Sequence, residues 1–515
     1  MNPLLLTDGY KTSHNKQYPK GTTLVYSNFT PRSNKYAPKG CNEVVVFGTQ
    51  MVMTQLHEAF EKEFFNKPKD VVCGEMKQEL SAYLGSDYDV SHFEALHDLG
   101  YLPIHVKSLP EGAKVPIKVP VLTIYNTHPD FFWVTNYLET ILSNLLWKPM
   151  TSATIAHQYR KVLTSWMEKT DKERAWFIDW QGHDFSMRGM DSVEAVVSSG
   201  LGHLTSFLGT DSLPAIHGAR KYYGAKDFVA GSVPATEHSV MCAGGKEDEI
   251  ETFRRLLETY PTGILSVVSD TWDLWKVCTE HVVTLKEEIL ARDGKLVIRP
   301  DSGNPVDILC GEQVIYRDYR DVVENSDLDL THPKYKGVIE LLWDVFGGTI
   351  NEQGYKVLDS HIGAIYGDSI TIERADEICK RLASKGFAST NVVLGVGSYS
   401  MGYATRDNQG GAVKATYVEI KHWDVATERL NETMAKNSNP EWIEGREIFK
   451  DPITDDGIKK SATGLLCVEE VDGKIGLYDK VSWNTENTGL LQTIYKDGEF
   501  ENETTLTEIR KKLKI

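Results

Sequence analysis

The middle of the chain alternates short apolar runs with segments of helical length, and each run stops at a small cluster of Gly, Asp, Arg or Ser. Ile264-Leu265-Ser266-Val267-Val268 ends at Ser269-Asp270, and Leu296-Val297-Ile298 ends at Arg299-Pro300-Asp301-Ser302-Gly303. Ile362–Tyr366 ends at Gly367-Asp368-Ser369, and Asn391–Leu394 ends at Gly395-Val396-Gly397-Ser398. Between them, Trp272–Ala291 and Glu373–Ser384 follow helical spacing. Asp270 to Asp301 spans 31 residues and Asp368 to Gly397 spans 29, the repeat of a βα unit; the 67 residues from Asp301 to Asp368 leave room for an insertion. Apolar strands that end in polar residues and alternate with helices predict a parallel β/α barrel or a doubly wound sheet. In both, ligands sit at the carboxyl ends of the strands. One such cluster is equally a strand-ending turn, but four in succession predict a site.

The flanks have a different rhythm. Thr22–Phe29 alternates as a strand, Glu43–Phe47 carries a Val-rich run, and Thr49–Phe65 follows helical spacing. Ile104–Lys107 and Leu122–Tyr125, broken by Pro110-Glu111-Gly112, predict paired strands. A helix follows, with Asp130 as its cap and Trp133, Tyr137, Ile141 and Leu145 on one face; Pro149 is expected to end it. Beyond residue 408 the alternation fades into strands at Ala412–Ile420 and Gly464–Glu470, a turn at Lys496-Asp497-Gly498 and a terminal helix at Thr507–Leu513. The expected organisation is a barrel over 151–400, flanked by 1–150 and 401–515 as two parts of a mixed α+β domain.

Composition narrows the function classes. The 515 residues are 41% hydrophobic and 25% charged, the balance of an ordinary folded chain. A net charge of −17 disfavours a general nucleic-acid binder. An anionic small molecule is still compatible with it, if a few cations are focused in a cleft. No apolar run reaches the ~18–20 residues that cross a bilayer, and Met1–Asp8 lacks the basic start of a signal peptide. Seven scattered cysteines without a C-x-x-C pair predict reduced thiols and a cytoplasmic setting.

The chain has no Walker A motif, no strand–G-x-G-x-x-G–helix fingerprint, no G-x-S-x-G elbow and no H-E-x-x-H. Gly395-Val396-Gly397 offers backbone N–H groups to an anion. In Arg299–Pro305, Arg299 and Asp301 stand two residues apart after a strand and so point into one mouth. Arg suits bidentate phosphate contact, and Asp suits ribose hydroxyls or hydrated Mg²⁺; an internal salt bridge is the alternative. His183-Asp184-Phe185-Ser186-Met187-Arg188-Gly189 sets Phe185 either in the core or as a stacking platform, with Arg188 beside it. Ser232–Ser239 places His238 in a loop of small residues, where it is either structural or chemical.

Taken in order with Thr7-Asp8-Gly9-Tyr10-Lys11, Gly209-Thr210-Asp211, Thr405-Arg406-Asp407 and Phe449-Lys450-Asp451-Pro452, these segments resemble the nicotinamide phosphoribosyltransferase family nearly end to end. The resemblance implies a type II phosphoribosyltransferase fold: an irregular α/β barrel with a mixed α+β domain, paired head to tail as a homodimer with interface sites. It implies joining of nicotinamide to phosphoribosyl pyrophosphate, with Mg²⁺ held mainly by the substrate phosphates and ATP as co-substrate. Phe185 and the neighbouring subunit's own copy of Tyr10 would then sandwich the pyridine ring, with Asp211 and Asp8 also at the nicotinamide. Arg188, His238 and Arg299 would hold the diphosphate, and Asp301, Gly367 and Asp368 the ribose. Gly397, Ser398, Arg406 and Lys414 would hold the 5′-phosphate, with Arg32, Lys450 and Lys459 as further basic groups. The family often has glycine where Ser398 stands. His238 matches the histidine that such enzymes phosphorylate with ATP.

That chemistry suits the residue set. Displacement at the anomeric carbon needs positioning and charge stabilisation, and the pyridine nitrogen is already a nucleophile, so no general base is required. Asp211 is expected to choose amide over acid, since its carboxylate accepts from an N–H and repels nicotinate. The rival expectations are a nicotinate-specific enzyme, a non-catalytic barrel that senses metabolites, and an unrelated barrel hydrolase.

Overall fold

The computed structural model describes residues 1–314, 329–367, 369–423, 441–450, 453 and 462–514. The apolar runs of the middle region form a six-stranded, all-parallel sheet. Its spatial order is Gly209–Thr210, Gly182–Asp184, Val392–Val396, Ile362–Tyr366, Asp293–Arg299 and Thr262–Val268. The four longer strands, Thr262–Val268, Asp293–Arg299, Ile362–Tyr366 and Val392–Val396, are rich in Val, Ile and Leu, as parallel strands covered on both faces are. The four strands whose polar ends stood out in the sequence are therefore neighbours in space.

The sheet curls until one segment touches both of its edges. Gly231 bridges to Gly209 and Ala235 bridges to Ser266, both in parallel sense. Thr210 N–H donates to Gly231 O at 3.1 Å and Ser266 N–H to Pro234 O at 2.9 Å. Pro234 has no N–H to return, so the seam stays a pair of bridges rather than a regular ladder. This is the irregular barrel that was expected.

Helices cover the barrel through amphipathic faces. Ile372–Ser384 starts at Thr371, whose side chain accepts from Arg374 N–H, and buries Ile372, Ala375, Ile378, Cys379 and Leu382. That spacing is one helical stripe, and each large apolar side chain contributes about 1.5–3 kcal/mol on burial. The expected Trp272–Ala291 helix is broken into short pieces around a π turn at Val277–His281.

The flanks interleave in one antiparallel sheet of order Glu441–Glu447, Ala412–Trp423, Thr22–Thr30, Leu122–Asn126, Ile104–Ser108, Gln492–Lys496 and Glu499–Phe500. Phe29 pairs with Val413 and Val106 with Tyr495, so N- and C-terminal parts share one sheet. Two expectations fail beside it. Asp130 lies inside a 3-10 turn, Pro129–Phe131, and accepts no cap role; the His128 side chain accepts from its N–H instead. Pro149 does not end the helix, which runs from Glu139 to Thr170. The missing N–H costs one helical bond, but the residues beyond it bury Ile155, Ala156, Tyr159, Leu163 and Met167 in the barrel's core, while Leu142, Leu146, Met150 and Ala153 pack in the other core. Packing on both sides outweighs the one lost bond. Gly48, at φ +91°, makes room for the proline ring: a Cβ there would lie 2.5 Å from Pro149 Cγ.

Candidate active site

Adjacent strand ends supply the site. After Gly182–Asp184, Asp184 is fully buried and fixes the turn: its Oδ1 accepts from Ser186 N–H at 2.9 Å and Ser186 Oγ at 2.6 Å, and its Oδ2 from Thr210 Oγ1 at 3.0 Å. Phe185 follows, with its N–H donating to Val396 O at 3.0 Å. The Arg299 guanidinium lies over the Phe185 ring, 4.7 Å from its centroid, a cation–π arrangement. Both residues line a cavity of about 330 Å³ that enters the barrel, together with His183, Asp211, Ser232, Ser266 and Val297. Val297 and Arg299 both face inward because strand side chains alternate with period two. The cavity is apolar within and polar at this mouth, the form expected of a small-molecule site.

Asp211 sits across the mouth from Phe185. Its Oδ1 accepts from His183 Nε2 at 2.9 Å and from Ser232 Oγ at 2.5 Å. Burial pushes its pKa up, but these two bonds and the positive charge of Arg299 outweigh burial and hold it below the ordinary value. The carboxylate stays ionised and faces the cavity.

The Arg299–Asp301 turn is tied to the neighbouring strand end by Asp270. Asp270 Oδ2 accepts from Asp301 N–H at 2.8 Å, Ser302 N–H at 2.7 Å and Ser302 Oγ at 2.6 Å. His238 opens the helix His238–Gly244 and stays half-exposed. Its Nε2 is 3.8 Å from Asp301 Oδ2 and 4.0 Å from Asp270 Oδ1, and its Nδ1 is 3.3 Å from Thr271 Oγ1. Gly367 closes the floor: a Cβ there would fall on Asp301 Oδ1 and lie 2.8 Å from Arg299 Nε. Asp301 Oδ1, Asp270 Oδ1 and Arg299 Nε are buried without a hydrogen-bond partner among the described residues. Such orphaned polar atoms are rare in folded proteins, and here they cluster around the Arg299–Ser302 turn.

The structure gathers Phe185, Asp211, His238, Arg299, Asp301 and Gly367 at one end of the barrel. Gly397 ends the Val392–Val396 strand, and Ser398 opens a five-residue helix against Gly189. Arg188 is exposed on the turn Met187–Gly189. A second group forms elsewhere on the surface. Asp8 Oδ2 accepts from Thr140 Oγ1 at 2.7 Å and from Tyr10 OH at 3.3 Å. Glu139 joins Lys11 at 2.7 Å and Lys414 at 3.1 Å, and Arg32, which donates to Gly410 O at 2.9 Å, lies near Arg406. Among the described residues no hydrogen bond, ion pair or ring contact joins this group to the barrel mouth, and Tyr10 is 63% exposed. Lys450 is exposed beyond the Glu441–Glu447 strand. Asp368 and Lys459 lie outside the described residues. Sequence reasoning passed over three residues of the mouth. Asp270 carried the same strand-end signal as Asp301, and His183 and Ser232 stood inside the motifs of Phe185 and His238.

Residues 180–439, which carry the barrel-mouth group, match the model of the nicotinate phosphoribosyltransferase (NAPRTase) family, and residues 2–106 match that of the nicotinamide phosphoribosyltransferase N-terminal domain. The nicotinamide phosphoribosyltransferase of Acinetobacter baylyi is 47% identical over 100% of this chain and 97% of its own length. The chain belongs to the nicotinamide phosphoribosyltransferase family. The nicotinamide phosphoribosyltransferase of Xanthomonas campestris pv. campestris is 32% identical over 99% of this chain and 97% of its own. Among solved structures, human nicotinic acid phosphoribosyltransferase superposes with TM-score 0.51 at 16% identity, covering 98% of this chain and 92% of that one. Nicotinate-nucleotide pyrophosphorylase from Pyrococcus furiosus gives TM-score 0.50 at 14% identity, covering 98% and 93%. Those two likenesses show the phosphoribosyltransferase fold, and family membership makes the chain a phosphoribosyltransferase.

Proposed function

We infer that the protein condenses nicotinamide with 5-phosphoribosyl 1-pyrophosphate to give nicotinamide mononucleotide and pyrophosphate, in NAD salvage. The observation that carries this is that Phe185, Asp211 and Arg299 line one cavity, while the turn after Arg299 brings Asp301 within 3.8 Å of His238 at the same strand ends. The pyridine ring stacks on Phe185 and presents its carboxamide N–H to Asp211. The Asp301 carboxylate accepts from ribose hydroxyls, and Gly367, with no side chain, leaves room beside it. The ring nitrogen attacks the anomeric carbon as the C–O bond to pyrophosphate breaks. Carboxylates near the sugar stabilise its developing positive charge, and Arg299, Arg188 and His238 take the departing diphosphate. Gly397 and Ser398 would hold the 5′-phosphate.

Mg²⁺ held by the substrate diphosphate would help to neutralise the leaving group, beside Arg299 and Arg188. Among the described residues no three His, Cys, Asp or Glu side chains gather for a metal, and the substrate phosphates would be its main ligands. ATP couples through His238: its γ-phosphoryl passes to an imidazole nitrogen, the P–O bond to ADP breaking as a P–N bond forms. The exposed ring, flanked by Asp270 and Asp301, suits that role. The second surface group, Asp8, Tyr10, Arg32, Arg406 and Lys414, with Lys450 and Lys459, completes the site of a neighbour in a head-to-tail homodimer. Residues 151–400 are the catalytic barrel, and 1–150 with 401–515 the mixed domain. No helix among the described residues is long and apolar enough to cross a membrane. Seven unpaired cysteines, only Cys242 exposed, suit the reducing cytoplasm.

The test is product formation from phosphoribosyl pyrophosphate with nicotinamide or nicotinate, with and without ATP. Nicotinamide mononucleotide is the expected main product, stimulated by ATP in the wild type and not in His238→Ala. Equal use of nicotinate, or no pyrophosphate release, overturns the reading.

A further inference from the structure

Asp211 carries its two oxygens differently. Oδ1 takes both hydrogen bonds, from His183 and Ser232, while Oδ2 has no partner among the described residues. A carboxylate accepts only, so His183 must carry its hydrogen on Nε2. The ring has little room to do otherwise. On one side a Cβ at Gly209 would lie 2.6 Å from His183 Nδ1. On the other, the Phe185 ring is centred 4.5 Å away at 34°. The His183 backbone is locked in the parallel sheet, in register with Gly209 and Gly395. Ser232 comes from a different element, the segment that closes the barrel beside the Gly209–Gly231 bridge. Two separately anchored donors therefore converge on one oxygen of a side chain that is otherwise 41% exposed.

We propose that His183 and Ser232 are positioning residues that clamp Asp211 through Oδ1, leaving Oδ2 as the acceptor aimed at the substrate carboxamide, and that this clamp sets the preference for amide over acid. A short carboxylate free to turn would move toward water, lose its bond to the carboxamide N–H and withdraw its charge from an incoming nicotinate. The clamp prevents both. It makes the bond to the amide ready-formed in geometry, and it holds like charge against the acid at close range. Discrimination of this kind is largest when the site's polar group has no alternative partner. Loss of the clamp therefore narrows the ratio from both sides.

The inference rests on Asp211 as the amide reader, and its test separates the two. The ratio of kcat/KM for nicotinamide to that for nicotinate is measured in His183→Ala, Ser232→Ala, His183→Gln and Asp211→Asn, with thermal melts to establish folding. The ratio is expected to fall about tenfold in His183→Ala and in Ser232→Ala, the scale of one hydrogen bond to a charged group. The change should lie in KM for the pyridine substrate, with KM for phosphoribosyl pyrophosphate unmoved. His183→Gln, which keeps a side-chain N–H, should recover most of it. Ser232→Ala provides the answer if His183→Ala does not fold. An unchanged ratio in Ser232→Ala and His183→Ala, with a narrowed one in Asp211→Asn, overturns the clamp alone. An unchanged ratio in Asp211→Asn overturns the reading beneath it.

Discussion

Asp270 offers the sharpest quantitative test of how the site is held. One buried oxygen, Oδ2, takes three donors: the N–H groups of Asp301 and Ser302 and the Ser302 hydroxyl, all within 2.8 Å. In Asp270→Asn the volume is kept and the carbonyl oxygen can take the same place, but the charge is gone. Hydrogen bonds to a charged group contribute ~1.5–3 kcal/mol against ~0.5–1.5 kcal/mol for neutral ones. The loss is about 1 kcal/mol per bond, or about 3 kcal/mol for three. The amide also turns an N–H toward His238 where Oδ1 now stands 4.0 Å from Nε2. If the whole loss falls on the order of the Arg299–Ser302 turn, kcat/KM for phosphoribosyl pyrophosphate falls by about two orders of magnitude, at ~1.4 kcal/mol per tenfold. KM for nicotinamide should move less, because Phe185 and Asp211 stand on other strands and meet the turn only through Arg299. Initial rates with each substrate varied in turn measure both. Wild-type kcat/KM for the sugar substrate in a folded Asp270→Asn protein would refute the claim that this carboxylate holds the turn.

Four further outcomes are expected. Gly367→Ala should fold and lose at least 100-fold in kcat, because its methyl lands on Asp301 Oδ1; near-normal turnover would mean the floor can move aside. His238→Ala should abolish ATP hydrolysis, read as ADP release, while leaving slow ATP-independent synthesis. Tyr10→Ala and Phe185→Ala proteins, each inactive alone, should regain activity when mixed, since one hybrid site is then intact; no recovery speaks against a shared site. Burial raises Glu249 to about 7, above the ordinary carboxylate value. Folding therefore favours its protonated form, and the stability this gives is present below about pH 4.5 and lost as pH rises through 7. Glu249→Gln should then gain in Tm over the wild type progressively from pH 5 to pH 8, and a pH-independent difference would contradict the assignment.

The chain's own pattern determined four of the six barrel strands and their polar ends, because runs of buried apolar residues are written locally; Gly182–Asp184 and Gly209–Thr210 are too short to leave such a run. It also determined the amphipathic helix Ile372–Ser384, with one stripe and one cap. Other features depended on what lay across space. Pro149 reads as a stop, yet the helix runs through it because residues on either side pack into two different cores. The antiparallel sheet joins residue 29 to residue 413, a pairing that no local rule encodes. At the site, Asp270, His183 and Ser232 each belong to a different element from the group they hold. Hydrogen bonds to a neighbour's backbone or carboxylate leave no periodic trace, so only the closed barrel could reveal which donor meets which oxygen.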